Sequence, residues 1–245
     1  MMTCKSLTSY VGAALLFAAR ISSAANFTIA NGQIYTPGLA IVDAPQPGTP
    51  LGGDLIEVAL DVSTNGRLPL PPYPEDSASM IHKITMFLYS YDKGHNFTIT
   101  NGTASANNAS LGDIMLSEPG STVKHVKWTW PDCLVGDSGD KGDRGLYNVS
   151  IHQSFRLNGE DYFTIFDLPI SVTNSIPEKD ERPSCDSLDN VLLTPDEIRA
   201  SADFDIPVMF APGDATTMQT SPNEAAGLRG AGWVALVGAA AALML

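Results

Sequence analysis

The middle of the chain alternates between apolar and polar residues with a period of two. Over residues 56–62 and 147–152 every second side chain is apolar. Such alternation places successive side chains on opposite faces and is typical of a strand with one buried face. Further strands are predicted at residues 26–35, 81–91, 95–100, 122–130, 146–156 and 161–173.

Turn-forming residues separate these strands. Asn158-Gly159 predicts a two-residue hairpin, because glycine accepts the positive φ that such turns require. Residues 43–53 and 67–76 are rich in proline and glycine and are predicted to be loops. Residues 81–91 are apolar on both faces, as in a central strand. About seven strands over residues 26–176 predict an all-β, antiparallel sandwich.

Residues 177–223 differ from the predicted sandwich in composition. They are rich in acidic residues, and from Pro212 onward glycine, threonine, serine and proline dominate. The run Thr194-Pro195-Asp196-Glu197 supplies a hydroxyl cap, a proline in the first turn and acids facing the helix dipole, which predicts one short helix at 195–202. The rest of the segment is predicted to be an irregular, acidic stalk.

The N-terminus has the pattern of an export signal. Residues 1–25 contain one lysine near the start, an apolar run from Leu7 to Ala19, and small residues before a cleavage site after Ala24 or Ala25. The apolar run is shorter than the roughly 20 residues that cross a bilayer. The segment is therefore predicted to be a secretory signal peptide.

The C-terminus has the pattern of an anchor signal. The chain ends inside an apolar run, and no charged residue follows Arg229. A membrane-spanning helix is usually followed by cytoplasmic lysine or arginine, whereas small residues, a short polar spacer and a terminal apolar tail direct attachment of glycosylphosphatidylinositol (GPI). Attachment is predicted at Asn223, with Gly227 and Ser221 as alternatives and with residues 224–245 removed. A plain C-terminal membrane tail is the other interpretation.

Charge and cysteine content narrow the function classes. Removal of the two signals takes away Lys5, Arg20, Arg229 and Glu224, which leaves 11 of the 14 basic and 26 of the 27 acidic residues. A chain this acidic has few basic side chains that could bind a phosphate backbone, so no nucleic-acid partner is expected. No cofactor is expected either.

Two cysteines remain after the signal peptide, Cys133 and Cys185. In an oxidising compartment they are predicted to form a disulfide, which would attach the stalk to the loop before the Tyr147 strand. Two cysteines cannot build a zinc site alone, and no histidine flanks either one at ligand spacing. No metal site is predicted.

Five N-glycosylation sequons follow the predicted signal peptide. Each requires an exposed asparagine, and the alternation of its strand places Asn148 outward. Three sequons crowd into residues 96–108 and predict a sugar-shielded region. The five asparagines are Asn26, Asn96, Asn101, Asn108 and Asn148.

Few residues are candidates for binding or catalysis. Asp137, Asp140 and Asp143 lie in a glycine-rich stretch without the spacing of a calcium loop, so a flexible loop is predicted. The G-x-S-x-G motif of serine hydrolases is absent. Copper oxygenases that attack polysaccharides use an N-terminal histidine as a ligand, and the predicted new N-terminal residue is not a histidine. No short-range ligand pair is formed by the four histidines, His82, His95, His125 and His152.

Aromatic residues recur on two strand faces. Trp128 and Trp130 share a face with Val126 and are predicted to fill the core. Tyr89 and Tyr91 also share a face, and aromatic rings on a sheet surface can stack on sugar rings. They are candidate ligand-stacking residues.

The segment Asp143-Arg-Gly145-Leu-Tyr147-Asn-Val149 resembles the D-x-G-x-Y-x-C signature of immunoglobulin-like domains. The resemblance implies an immunoglobulin-like sandwich in which Tyr147 forms a tyrosine corner. Val149 stands at the cysteine position, so the usual inter-sheet disulfide is absent. The match covers seven residues and bears on fold alone.

The whole chain resembles a family of uncharacterised secreted proteins of filamentous fungi that carry a terminal anchor signal. The resemblance rests on Asn26-Phe-Thr-Ile29, on Tyr35-Thr-Pro-Gly38 and on the overall layout. It implies a location at the plasma membrane or cell wall and no assigned reaction.

The sequence thus favours a non-enzymatic, GPI-anchored surface glycoprotein with a structural, adhesive or carbohydrate-binding role. It would lie on the outer face of the plasma membrane or in the cell wall. An enzyme acting on cell-wall polysaccharide and a secreted effector recognised by another organism are the alternatives.

Treatment of membranes with phosphatidylinositol-specific phospholipase is expected to release the protein, because the enzyme cleaves the lipid from a GPI anchor. Immunoblotting of the soluble and membrane fractions measures the release. Full retention in the membrane fraction would exclude the anchor and favour a plain membrane tail.

Overall fold

A computed structural model describes residues 25–100 and 113–220 of the chain. Within these ranges the protein forms two β-sheets and two short helices. The strands are β1 (Ala25–Ala30), β2 (Gln33–Tyr35), β3 (Ile41–Ala44), β4 (Pro50–Leu51), β5 (Leu55–Asp61), β6 (Met80–Ser90), β7 (His95–Ile99), β8 (Val123–Thr129), β9 (Gly145–Leu157), β10 (Glu160–Val172) and β11 (Thr216–Thr220). The helices are α1 (Cys185–Leu188) and α2 (Pro195–Ser201), with 3₁₀ turns at Ile114–Leu116 and Asp132–Leu134.

The two sheets face each other in a sandwich. The first sheet has the strand order β11-β1-β2-β3-β5-β8, and the second has the order β4-β10-β9-β6-β7. Neighbouring strands are antiparallel except for β4, which pairs with β10 in parallel. The prediction of an all-β sandwich is therefore confirmed. Strands β3, β4 and β11 were not expected, because they lie in or beside segments whose proline, glycine and serine content indicates loops.

Aromatic side chains from both sheets fill the interior. Trp128 of β8 and Trp130, just beyond it, are fully buried, as predicted. Phe97 of β7 packs on Trp128, with 5.9 Å between the ring centroids. Phe27 of β1 meets Phe166 of β10 edge to face at the same separation. These contacts join the two sheets, and burial of such large apolar surfaces stabilises the sandwich.

A buried glutamine links the sheets by hydrogen bonds. Gln153 of β9 is fully buried, and its Oε1 accepts from the backbone N–H of Ala40 at 2.9 Å. Its Nε2 donates to the hydroxyl of Thr36 at 2.8 Å. The loop between β2 and β3 thereby finds partners for two of its buried polar groups.

The hairpin of β9 and β10 sets the register of the second sheet. Its turn is at Asn158-Gly159, where both residues have positive φ, 53° and 90°. Leu157 pairs with Glu160 across the turn, so the predicted two-residue hairpin is confirmed. Further along the hairpin, the same register sets Asp167 opposite Ser150.

Tyr147 closes the loop that precedes β9. Its hydroxyl donates to the backbone carbonyl of Asp143, four residues upstream, at 2.6 Å. The resemblance to immunoglobulin-like domains predicts a hydrogen bond of this kind. Burial raises the pKa of Tyr147, and the negative charges of Asp143 and Asp189 add to the shift.

The segment after β10 packs against the sandwich, which corrects the prediction of a separate stalk. Cys185 is bonded to Cys133, with the Cα atoms 6.0 Å apart, so the predicted disulfide is present. Arg182 is buried, and it donates from Nε to the carbonyl of Pro177 and from Nη1 to the carbonyl of Trp130, both at 2.8 Å. The acidic composition of the segment predicted a solvated chain, but the buried Cys185 and Arg182 hold it against the sandwich.

The sandwich also extends further along the chain than its predicted end at residue 176. β11 pairs with β1, and Ala25 lies opposite Thr220. The predicted helix is present as α2, which begins with a capping box between Thr194 and Glu197. α1 is an additional turn whose Leu188 is buried in the core.

Several predicted features lie outside the described residues. They are residues 1–24 of the signal peptide, Asn101, Asn108, and the anchor region with Asn223. Among the residues that the structure does describe, no helix is both long and apolar enough to cross a membrane.

The substitution Tyr147→Phe is expected to lower the free energy of unfolding by about 1 kcal/mol, because the buried hydrogen bond to the Asp143 carbonyl is lost. Urea unfolding measures the change. Tyr162→Phe is the matched control, since the Tyr162 hydroxyl bonds the exposed carboxylate of Glu160 and its loss is expected to cost less than about 0.5 kcal/mol. Equal losses in the two variants would contradict a structural role for the corner.

Candidate functional site

The outer face of the second sheet carries aromatic and polar side chains close together. Alternation along β6 places Phe87 and Tyr89 on this face, and Tyr91 follows at the end of the strand. On the neighbouring β9, Ser150 and His152 point the same way. The register sets Phe87 directly opposite Ser150.

A tyrosine and an acid are hydrogen-bonded beneath this surface. The hydroxyl of Tyr89 donates to Oδ2 of Asp167, a residue of β10, at 2.9 Å. Burial raises the pKa of Asp167, while the hydroxyls of Ser150 and Tyr89 act in the opposite direction. Burial also raises the pKa of Tyr89, and the charge of Asp167 adds to this shift. Both shifts favour the uncharged forms, as expected where water is excluded.

His152 is packed among aromatic rings. Its ring centroid lies 4.8 Å from that of Phe87 and 5.9 Å from that of Phe163. Its Nε2 is 3.1 Å from the hydroxyl oxygen of Ser150. Burial lowers the pKa of His152 to about 4. The imidazole is therefore neutral at neutral pH and offers one donor and one acceptor.

The segment that follows the disulfide is fixed to the edge strand β7 beside this cluster. Asp189 accepts from the backbone N–H of Asn96 at 2.7 Å, and its other oxygen is 2.6 Å from Nδ1 of His95. Asn190 donates from Nδ2 to the carbonyl of Asn96 at 2.9 Å and to the hydroxyl of Thr98 at 3.0 Å. Backbone and side chain together thus set the position of this segment.

Beyond Asn190 the chain runs alongside the aromatic cluster and forms the wall of a groove. Tyr91 donates its hydroxyl to the carbonyl of Leu193 at 2.8 Å, and Asn96 donates from Nδ2 to the carbonyl of Val191 at 2.9 Å. The groove has a volume of about 430 Å³, which is within the range of small-molecule sites. Outward residues of β6 and β9 line it together with residues 190–193 and Ile198 of α2.

The two candidate ligand-stacking tyrosines differ in exposure. Tyr89 is 8% exposed and Tyr91 is 44% exposed, with their ring centroids 5.3 Å apart and the rings edge to face. The ring of Tyr91 is therefore partly open to solvent, whereas Tyr89 supports it from the side. Two predicted glycosylation sites, Asn96 of β7 and Asn148 of β9, both pair with Tyr89 and flank it on the adjacent strands.

The histidines do not form a shared site, and the serine is not arranged as a nucleophile. In a hydrolytic triad the histidine lies between serine and acid, whereas Ser150 here lies between His152 and Asp167. Each histidine has its own contact among the described residues: His82 with Asp161, His95 with Asp189, His125 with Glu118 and His152 with Ser150.

Sequence reasoning missed most of the groove. Alternation along β9 and β10 was a usable signal, because it places Ser150, His152 and Asp167 on one face. The wall also had a signal, since residues 191–193 are an apolar run inside an acidic segment. Neither pattern shows that the wall and the face meet, because that contact is made through the edge strand β7.

Comparisons of the chain with protein-family models, with curated proteins and with solved structures give no match. The fold and the site define an all-β sandwich with an aromatic groove on one outer face.

Acid is expected to destabilise the wild-type protein more than the variant His152→Gln. The ordinary pKa of histidine is 6.5 and that of His152 is about 4, so the unfolded chain takes up the proton first. The neutral His152 makes a contribution to the free energy of unfolding that is fully present above pH 6.5. This contribution is lost as the pH falls towards 4, and the loss amounts to about 2 kcal/mol between pH 7 and pH 4.5.

Urea unfolding at the two pH values measures this loss. Asp167 shifts stability in the opposite direction in both proteins, so the difference between them isolates His152. Identical pH profiles for wild type and His152→Gln would contradict the burial of a neutral imidazole.

Proposed function

We propose that this chain is a non-enzymatic, GPI-anchored glycoprotein of the cell surface or cell wall and that it binds carbohydrate in the groove. The observation that carries the proposal is the half-exposed ring of Tyr91 in a groove that the polar side chains of Asn96, His152 and Asn190 also line. A sugar ring combines an apolar face, which packs on an aromatic ring, with hydroxyls that require donors and acceptors.

Charge favours a neutral sugar over an anionic one. Residues 26–223 carry 26 acidic and 11 basic residues, and no lysine or arginine of the described residues lines the groove. An anionic polysaccharide would be repelled by this field. His152, with a pKa of about 4, adds no positive charge at neutral pH. Polymers of glucose or N-acetylglucosamine meet the requirement.

The two described sequons on this face support an extracellular role. Asn96 and Asn148 stand on either side of Tyr89. A glycan at Asn148 would lie beside the groove, and one at Asn96, which lines it, would restrict it to a slender ligand. The test therefore compares glycosylated protein with protein that has been treated with an endoglycosidase.

The enzyme alternative has less support. Glycoside hydrolysis requires two carboxylates about 5 to 9.5 Å apart across the scissile bond. Among the described residues, the groove lining includes no carboxylate, and Asp167 lies beneath Tyr89, hydrogen-bonded to its hydroxyl. The effector alternative has no structural observation in its favour.

The placement of the strands supports a short link to the membrane. Thr220 ends β11 and pairs with Ala25, and the proposed attachment residue, Asn223, follows three residues later. The first sheet would then lie close to the membrane, with the groove on the second sheet. The bond from Tyr147 to Asp143 supports classing the sandwich as immunoglobulin-like, with Val149 in place of the second cysteine.

Tyr91→Ala is expected to weaken binding of neutral glucose or N-acetylglucosamine oligosaccharides about tenfold, because loss of an aromatic anchor typically costs more than 1 kcal/mol. A glycan array identifies the ligand, and titration calorimetry measures its affinity for the deglycosylated protein. Phe204→Ala is the matched control, since Phe204 is half-exposed but does not line the groove.

Equal binding by the two variants would place the ligand elsewhere. Silence of the deglycosylated wild type across the array would remove the carbohydrate proposal. Release of reducing sugars from a wall polysaccharide, abolished by Asp167→Asn, would favour the enzyme.

A further inference from the structure

We infer that His95, Asp143 and the thiolates of Cys133 and Cys185 form a site for a zinc-like divalent cation once the disulfide is reduced. The sequence gives no sign of it, because His95 is 38 residues from Cys133. The fold brings them together at the end of the sandwich where β7 begins and the loop before β9 passes. The inference is independent of sugar binding in the groove.

Three of the donor atoms, on His95, Cys133 and Asp143, already lie within 4.8 Å of one another. Nε2 of His95 is 4.0 Å from Sγ of Cys133 and 3.7 Å from Oδ1 of Asp143. Zinc bonds of about 2.0 to 2.3 Å in tetrahedral geometry place ligand atoms roughly 3.5 Å apart. Small side-chain movements would therefore bring these atoms to bonding distance. Cys185 lies next to Cys133 through the disulfide.

The histidine is already oriented as a metal ligand. Its Nδ1 is 2.6 Å from the carboxylate of Asp189, and that carboxylate is held by the backbone N–H of Asn96 at 2.7 Å. A carboxylate on one ring nitrogen makes the other nitrogen, Nε2, the basic one that faces the metal. The ring of His95 is also stacked on Phe97, with 4.9 Å between centroids, which limits its rotation.

Reduction exposes the remaining ligands. With a water-soluble phosphine, the S–S bond breaks, the phosphine takes the oxygen of one water molecule, and each sulfur receives one proton. The cation then displaces both protons and binds two thiolates. Two thiolates, one imidazole and one carboxylate suit zinc, and the carboxylate of Asp143 is half-exposed.

Metal binding is tested on the purified, folded protein before and after reduction. After removal of excess zinc by gel filtration, the reduced wild type is expected to retain about one equivalent and the oxidised protein none. Cobalt in place of zinc is expected to show thiolate-to-metal absorption. The reduced variant His95→Gln is expected to bind more than about tenfold more weakly, since loss of even a supporting group costs this much.

His125→Gln is the matched control, because His125 lies on β8, the edge strand of the other sheet, where it contacts Glu118. The double variant Cys133→Ser, Cys185→Ser is expected to retain no zinc. Equal retention by wild type and His95→Gln, or cobalt bound without thiolate absorption, would overturn the inference. So would loss of the near-UV circular dichroism on reduction that zinc does not restore.

Discussion

The burial of the Arg182 guanidinium is the constraint on which the rest of the site depends. A buried charge is tolerated only when its N–H groups find acceptors. Nε and Nη1 of Arg182 find them in the carbonyls of Pro177, Trp130 and Asp54, while Nη2 lies 3.6 Å from the carboxylate of Asp54. Asp54 directly precedes β5 and Trp130 directly follows β8, so the segment that carries Arg182 must turn back against the first sheet. The disulfide at Cys185, three residues later, fixes this return.

The return of this segment converts a sheet surface into a groove. Asp189 reaches the edge strand β7, and residues 191–193 then pass beside Tyr91. Without that wall, Phe87, Tyr91 and their neighbours would form an open aromatic patch, and such patches usually mark interaction surfaces or promote aggregation. The wall is itself stabilised by hydrogen bonds to the backbone of Asn96. The hydrogen bonds that stabilise this segment therefore also determine the shape of the groove.

Local patterns predicted the parts of this fold whose causes are local. Local apolar patterns place β5, β6, β8 and β9 correctly, Asn158-Gly159 predicts its turn, and Thr194 with Glu197 predicts the start of α2. The short strands β3, β4 and β11 were missed, because a two- to five-residue strand is determined by the neighbour it pairs with rather than by its own propensity.

The path of the acidic segment is determined by long-range contacts, which no local sequence pattern shows. Its charges indicate a solvated chain, yet one buried arginine and one cysteine outweigh them. The cysteine acts across 52 residues, and in the chain-entropy model a disulfide closing a loop of that length stabilises the fold by about 4 kcal/mol. That is large compared with the roughly 0 to 1 kcal/mol that a solvated surface charge contributes.

Asp189 joins the groove to the cluster around the disulfide. One carboxylate oxygen accepts from Asn96 and holds the wall, while the other contacts His95. Reduction would remove the covalent link at Cys185 and leave the wall held by these hydrogen bonds alone. A cation bound to His95 and both thiolates would replace that link by coordination, and it would keep Asp189 in place through the same imidazole. The shape of the groove would then depend on one cross-link or the other, because both act on the same segment of chain.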